Sequence, residues 1–288
     1  MKYLSFCLFL FISFFLTAQN VTASPKRYII YDLDDTLFDT AFRSLYVLHR
    51  IGMELGIEEL QRLEYTQVSF YCDETLQNVG LNDPVLIEDI CGHYDSDPKN
   101  NTLKKSKWGQ IFFGDSSSIH YDRPLPGAKE FVERTMNETG ATIIYLTARF
   151  EQTQGKGTKR QLEFYGFPGF RRNTSDCANL IMRPTVTMYP DSQFKEVVLK
   201  DLLQNGVVIA AFDDLVSNAN MFRRVLPSKV PVIRPNRNIL DTKKLNGGIE
   251  QITNYIHNVA IDKHGKSRIV APNQQQLSDV LYRAKQIP

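Results

Sequence analysis

Apolar residues along this chain gather in short runs of β-branched and aromatic side chains, separated by stretches that repeat every three or four positions. Tyr28, Ile29, Ile30 and Tyr31 form the first run, with the composition of a buried strand. It ends in clustered carboxylates, Asp32, Asp34 and Asp35. Ala141 to Leu146 predicts a second buried strand, closing on Thr147, Ala148 and Arg149. Further strands are expected from Asn179 to Arg183, from Val207 to Phe212 with Asp213 and Asp214 after it, and from Val230 to Pro235.

Helical spacing fills the intervals. Ala41, Phe42, Leu45, Leu48 and Leu55 recur at helical steps, with Gly56 as the stop. Residues 60–120 predict short helices and loops, broken at Asp83-Pro84 and Asp97-Pro98. Pro126 and Gly127 open a helix that sets Ala128, Phe131, Val132 and Thr135 on one face and stops at Gly140. Residues 151–161 read as a turn before a helix from Lys159 to Tyr165. Within that turn Gly155-Lys156-Gly157-Thr158 hints at a phosphate loop but lacks its spacing, so Walker-type nucleotide binding is rejected. A helix follows with Asp191 or Ser192 as N-cap and Gly206 as stop, and two more are expected around Ile249 to Ile256 and Gln276 to Ala284.

An apolar run ending in acids delivers charge to the carboxyl edge of a sheet, where open α/β sheets place their ligands. With a period of two, Asp32 and Asp34 point the same way. Two carboxylates facing one cleft repel unless a cation or a shared proton compensates. Mg²⁺, a hard cation that takes oxygen ligands, is the usual remedy.

The stretch Asp32-Leu33-Asp34-Asp35-Thr36-Leu37 resembles the first motif, DxDx(T/V), of the haloacid dehalogenase (HAD) superfamily of phosphohydrolases. An isolated DxD is more simply an acidic turn after a strand, so the downstream elements matter. The strand ending in Thr147 resembles the second motif, and a Lys near the start of the helix after Asp191 resembles the third. Asp213 and Asp214 resemble the fourth, although the further acid usual four or five positions on is replaced by Asn218.

The resemblance implies an α/β fold: a Rossmann-like, mostly parallel sheet with a helical cap inserted after the first strand. The expected layout is a core over 24–40 and 121–240, a cap over 41–120, and a helical C-terminal extension over 241–288. The activity implied is that of a Mg²⁺-dependent phosphatase, similar to the secreted acid phosphatases, acting on a small phosphorylated substrate. Asp32 would be the nucleophile and Asp34 the acid–base group. Thr147 and Lys195 would hold the phosphate. Mg²⁺ would be held by Asp32, the backbone carbonyl of Asp34, and Asp213 or Asp214. A non-catalytic phosphate- or metal-binding protein on the same fold is the alternative; such members typically lose the nucleophile, and Asp32 is present.

Lys195 is preferred to Lys200 on helix geometry. Five residues carry Lys200 about 7.5 Å further from the sheet edge and rotate it by roughly 140°, so the two cannot face one site.

Composition narrows the partners. With a formal net charge of +2, nothing points to nucleic acid. Residues 1–23 read as a signal peptide: Lys2, an apolar run from Leu4 to Leu16, and small residues at Val21-Thr22-Ala23 before a cut at Ser24. The run is short of the roughly 20 residues that span a bilayer, so a secreted or periplasmic protein without a membrane anchor is expected. The mature chain keeps Cys72, Cys91 and Cys177. Cys72 and Cys91 could staple the insertion, with three buried thiols as the alternative. The histidines lack zinc-ligand spacing.

Overall fold

The computed structural model describes residues 24–69, 71–93, 102–170, 178–184, 190–236, 245–261 and 267–288. The expected signal peptide, Asp97-Pro98 and Cys177 lie outside the described residues. The fold is α/β, built on a six-stranded parallel sheet. Its spatial order is β5 (Ala178–Arg183), β4 (Thr142–Phe150), β1 (Lys26–Tyr31), β6 (Gly206–Phe212), β7 (Val232–Pro235) and β8 (Ile249–Ile252). The apolar runs are continuous because the central strands are covered on both faces; Ile29 to Tyr31, Ile143 to Leu146 and Ile209 to Phe212 are all buried.

Register sets the site. Tyr31 pairs with Tyr145 on one side and Phe212 on the other. These strands therefore run out together, and Asp32 and Asp213 leave the sheet side by side. The ladder continues into the acids, with Asp32 N donating to Phe212 O at 2.9 Å and Asp213 N to Ile233 O at 3.1 Å.

Helices α6 (Ala128–Thr139), α7 (Glu151–Phe164), α8 (Asp191–Asn205) and α9 (Val216–Val225) alternate with these strands. Two expectations shift here. The turn predicted over residues 151–161 is helix from Glu151 onward. Gly157 serves packing: a Cβ there would lie 2.5 Å from the Ser116 carbonyl oxygen. Asp191 is the first helical residue of α8, after Pro190 as N-cap, and its carboxylate pairs with Arg183 at 2.5 Å.

Between β1 and α6 lies the helical insertion. Its ends are clipped together by a two-residue ladder of β2 (Phe38–Asp39) and β3 (Arg123–Pro124). Inside it run α1 (Ala41–Leu55), α2 (Glu58–Gln61), α3 (Cys72–Asn78), α4 (Pro84–Cys91) and α5 (Lys107–Gly114). Gly56 closes α1 at φ 70°, the left-handed geometry that suits glycine. Asp83-Pro84 is a helix start: Asp83 accepts from Val85 N, and Pro84 occupies the first turn. The insertion has its own core, with Val47, Ile51, Leu60, Leu76, Ile90 and Trp108 buried together. A disulfide joins Cys72 and Cys91, tying the start of α3 to the end of α4.

The C-terminal region differs from expectation. Ile249 to Ile252 is strand β8, where a helix over Ile249 to Ile256 was expected. Isoleucines three apart suit either state, and the open edge of β7 decides, pairing Val232 with Ile249 and Pro235 with Ile252. A hairpin of β9 (His257–Ile261) and β10 (Ser267–Pro272) follows. Then α10 (Gln274–Lys285) buries Leu277, Val280, Leu281 and Ala284, the helical stripe the sequence shows. No helix among the described residues is long and apolar enough to cross a membrane.

Candidate active site

At the carboxyl edge of the sheet, Asp32, Asp213 and Asp214 each offer an oxygen within 4.8 Å of the others. All three are buried. Lys195, one turn into α8 and 1% exposed, points its ammonium between two of them. Its Nζ lies 2.8 Å from Asp32 Oδ1 and 2.6 Å from Asp213 Oδ2. Lys200, with a side chain 63% exposed, pairs instead with Glu196 on the outer face of the same helix.

The charges do not balance. Burial pushes the Asp32 carboxyl up to about 7, opposed by Lys195 and reinforced by Asp213 and Asp34. Asp213 is raised and Asp214 is raised strongly, again chiefly by burial. Burial works against the Lys195 ammonium, but Asp213 and Asp32 outweigh it and raise that group. One ammonium thus faces a trio of acids. Asn218, at the position where the resembled motif usually has a further acid, donates to both oxygens of Asp213 at 3.0 and 3.2 Å, and its own buried Oδ1 has no hydrogen-bond partner among the described residues. Hard oxygen donors with surplus negative charge fit a divalent cation such as Mg²⁺.

The loops bearing these acids are tied together. Asp214 N donates to Thr36 Oγ1 at 2.9 Å, and Arg234 Nε donates to the Asp214 carbonyl at 2.8 Å. Tyr255, from the C-terminal region, donates to the Thr36 carbonyl at 3.1 Å. Asp35 takes a left-handed φ of 50°, and its carboxylate accepts from Thr40 Oγ1 at 2.5 Å. That turn lets the chain leave the site for the insertion directly after Asp34.

Thr147 lies two residues beyond the Tyr145 that pairs with Tyr31. It is buried, and its Oγ1 accepts from Arg149 N at 3.3 Å. Among the described residues no hydrogen bond links Thr147 to Asp32 or Lys195, so the register alone places it at this edge.

The Asp34 side chain stands outside the acidic trio. Its Oδ1 accepts from Arg43 Nη2 at 2.5 Å and from Arg149 Nε and Nη2 at 3.0 and 2.6 Å. Both guanidiniums are also held by buried Asp122, whose Oδ1 and Oδ2 accept from Arg43 and whose Oδ2 accepts from Arg149, each at 2.9 Å. Gln161 and Thr158 complete the shell around Arg149. Burial would raise the Asp34 carboxyl, but Arg149 and Arg43 outweigh it and hold it well below the usual carboxylate range. The two guanidiniums therefore favour the ionised form of the Asp34 carboxyl.

Arg43 and Asp122 were not foreseen. Arg43 carried a signal, standing four positions before Val47 and eight before Ile51 on the buried face of α1. A cation on an apolar stripe needs a partner.

No protein-family model matches the chain, and no curated protein matches it. Solved structures do. A haloacid dehalogenase-like hydrolase from Streptococcus pneumoniae aligns over 80% of this chain and 94% of its own, at 10% identity and TM-score 0.46. Protein tyrosine kinase A of Mycobacterium tuberculosis covers the same shares at 14% identity and TM-score 0.45. CbbY from Rhodobacter sphaeroides, solved with phosphate, does so at 12% identity and TM-score 0.44.

Proposed function

We propose that this chain is a Mg²⁺-dependent phosphohydrolase of the HAD type, cleaving a small phosphomonoester through an aspartyl-phosphate at Asp32. The observation that carries the reading is the setting of Asp32: a buried carboxylate at the sheet edge, 2.8 Å from the Lys195 ammonium and grouped with Asp213 and Asp214.

In this reading an Asp32 oxygen bonds to phosphorus as the bond to the leaving oxygen breaks. Water then attacks phosphorus, releasing phosphate and restoring the carboxylate. Lys195 faces the negative charge of the phosphoryl oxygens, and the Thr147 hydroxyl donates to one of them. Asp34, once protonated from solvent, gives that proton to the leaving oxygen and then accepts one from the attacking water. Asp32, the Asp34 carbonyl, and Asp213 or Asp214 would hold Mg²⁺, which when bound offsets repulsion between an anionic nucleophile and an anionic phosphate.

Export belongs to the same reading, supported by the leader-like residues 1–23 and by the Cys72–Cys91 bridge, which suits an oxidising compartment. The partner is a small phosphorylated substrate, with neither nucleic acid nor membrane. Turnover of p-nitrophenyl phosphate by residues 24–288 tests the activity. Hydrolysis that needs Mg²⁺ and vanishes in Asp32→Asn is expected. Binding of Mg²⁺ or phosphate without turnover would favour the non-catalytic alternative.

A further inference from the structure

We propose that Arg43, carried by the first helix of the insertion, is a positioning residue that aims the Asp34 carboxylate, so that the seating of the insertion on the sheet sets the orientation of that group. What Asp34 does once aimed rests on the phosphohydrolase reading; how it is held does not.

Arg43 and Arg149 direct all their hydrogen bonds to the Asp34 side chain onto one oxygen, Oδ1. Arg43 and Arg149 are fully covered, whereas the Asp34 side chain is 30% exposed. The guanidiniums therefore anchor one oxygen of a partly exposed carboxylate and leave Oδ2 outside their hydrogen bonds. A carboxylate held by a fixed fork cannot rotate without breaking several charge-assisted hydrogen bonds at once.

Arg43 is itself fixed by the insertion. Its Nε and Nη2 grip the two oxygens of Asp122, the residue preceding β3 where the chain returns to the core. Its guanidinium carbon sits 4.0 Å from the centre of the Phe112 ring on α5. Arg149 comes from β4 and meets the same Asp122 oxygen. Arg43 thus spans α1, α5 and the return strand on one side and Asp34 on the other. A tilt of α1 against the sheet would move Nη2 relative to Oδ1 directly.

A buried arginine between two carboxylates could equally be charge balance alone. Lysine separates the roles: it keeps the charge but cannot supply the planar fork that holds Asp122 and Asp34 together. In crystal structures of Arg43→Lys, the Asp34 carboxylate is expected to turn, keeping Arg149 as its remaining anchor. Activity on an alkyl phosphate, whose leaving oxygen needs a proton, should fall on the order of tenfold more than activity on p-nitrophenyl phosphate. Phe112→Leu, which leaves Arg43 in place but removes its backing, should move both readouts in the same direction and serves if the lysine variant does not fold. An unturned carboxylate, or equal losses on both esters, would overturn the proposal. If the wild-type protein hydrolyses neither ester, the phosphohydrolase reading fails, and the carboxylate orientation alone decides the role of Arg43.

Discussion

The Lys195 ammonium lies 2.8 Å from the Asp32 carboxylate, joining α8 to the end of β1 through a buried ion pair. The same nitrogen reaches Asp213 at 2.6 Å. Removing it leaves buried acids without their compensating charge, a change that typically costs about 3–5 kcal/mol. Lys195→Ala should therefore lose both stability and most activity, by roughly a hundredfold or more in kcat. Lys200→Ala should be nearly silent, since its pair with Glu196 lies on the solvent-exposed face of the helix. Kinetics and urea unfolding of the two variants check this, and the reverse ranking would contradict the site.

Stability should depend on pH and on the metal together. The Asp32 carboxyl rises from an ordinary 3.8 to about 7 on folding, so between those values the folded state binds the extra proton. Its contribution is fully present below pH 3.8 and is lost as pH rises through about 7. Asp213 and Asp214 are raised too and act with the same sign. Asp34 is lowered, so its contribution is lost only as pH falls below the ordinary carboxylate range. Metal-free protein should thus lose stability between about pH 4 and 7, and Mg²⁺ should raise Tm more at pH 7.5 than at pH 5. Thermal unfolding with and without Mg²⁺ at both values measures it. A Mg²⁺ shift of equal size at both would count against the acidic trio as the metal site.

What was legible in the sequence followed from short range. Asp32, Asp213 and Asp214 could be placed because each follows a continuous apolar run, and parallel register brings such ends together. Lys195 followed from helix rotation. The clamp on Asp34 could not be read, because Arg43 and Asp122 lie 79 residues apart and Arg149 lies 115 from Asp34. Strand β8 was missed for a related reason: its state is decided by the edge of β7, not by its own spacing. Residues 151–161 read as a turn partly because the purpose of Gly157, a close approach to Ser116, lies in another segment.

The Cys72–Cys91 bridge closes a loop with a sequence separation of 19. A loop of that size contributes about 3 kcal/mol by restricting the unfolded chain. Cys72→Ala/Cys91→Ala should lower stability by about that amount, with the loss confined to the helical insertion. Hydrogen exchange with and without reductant would locate it. Unchanged protection across α1 to α5 after reduction would show that the insertion does not depend on the bridge.

The most direct measurement is capture of the covalent intermediate. Enzyme turning over a ³²P-labelled phosphomonoester is quenched in acid, digested and mapped. An acid-stable, hydroxylamine-labile label is expected on the peptide that carries Asp32, absent in Asp32→Asn. Sustained turnover with no label on that peptide, or with label on another residue, would contradict it.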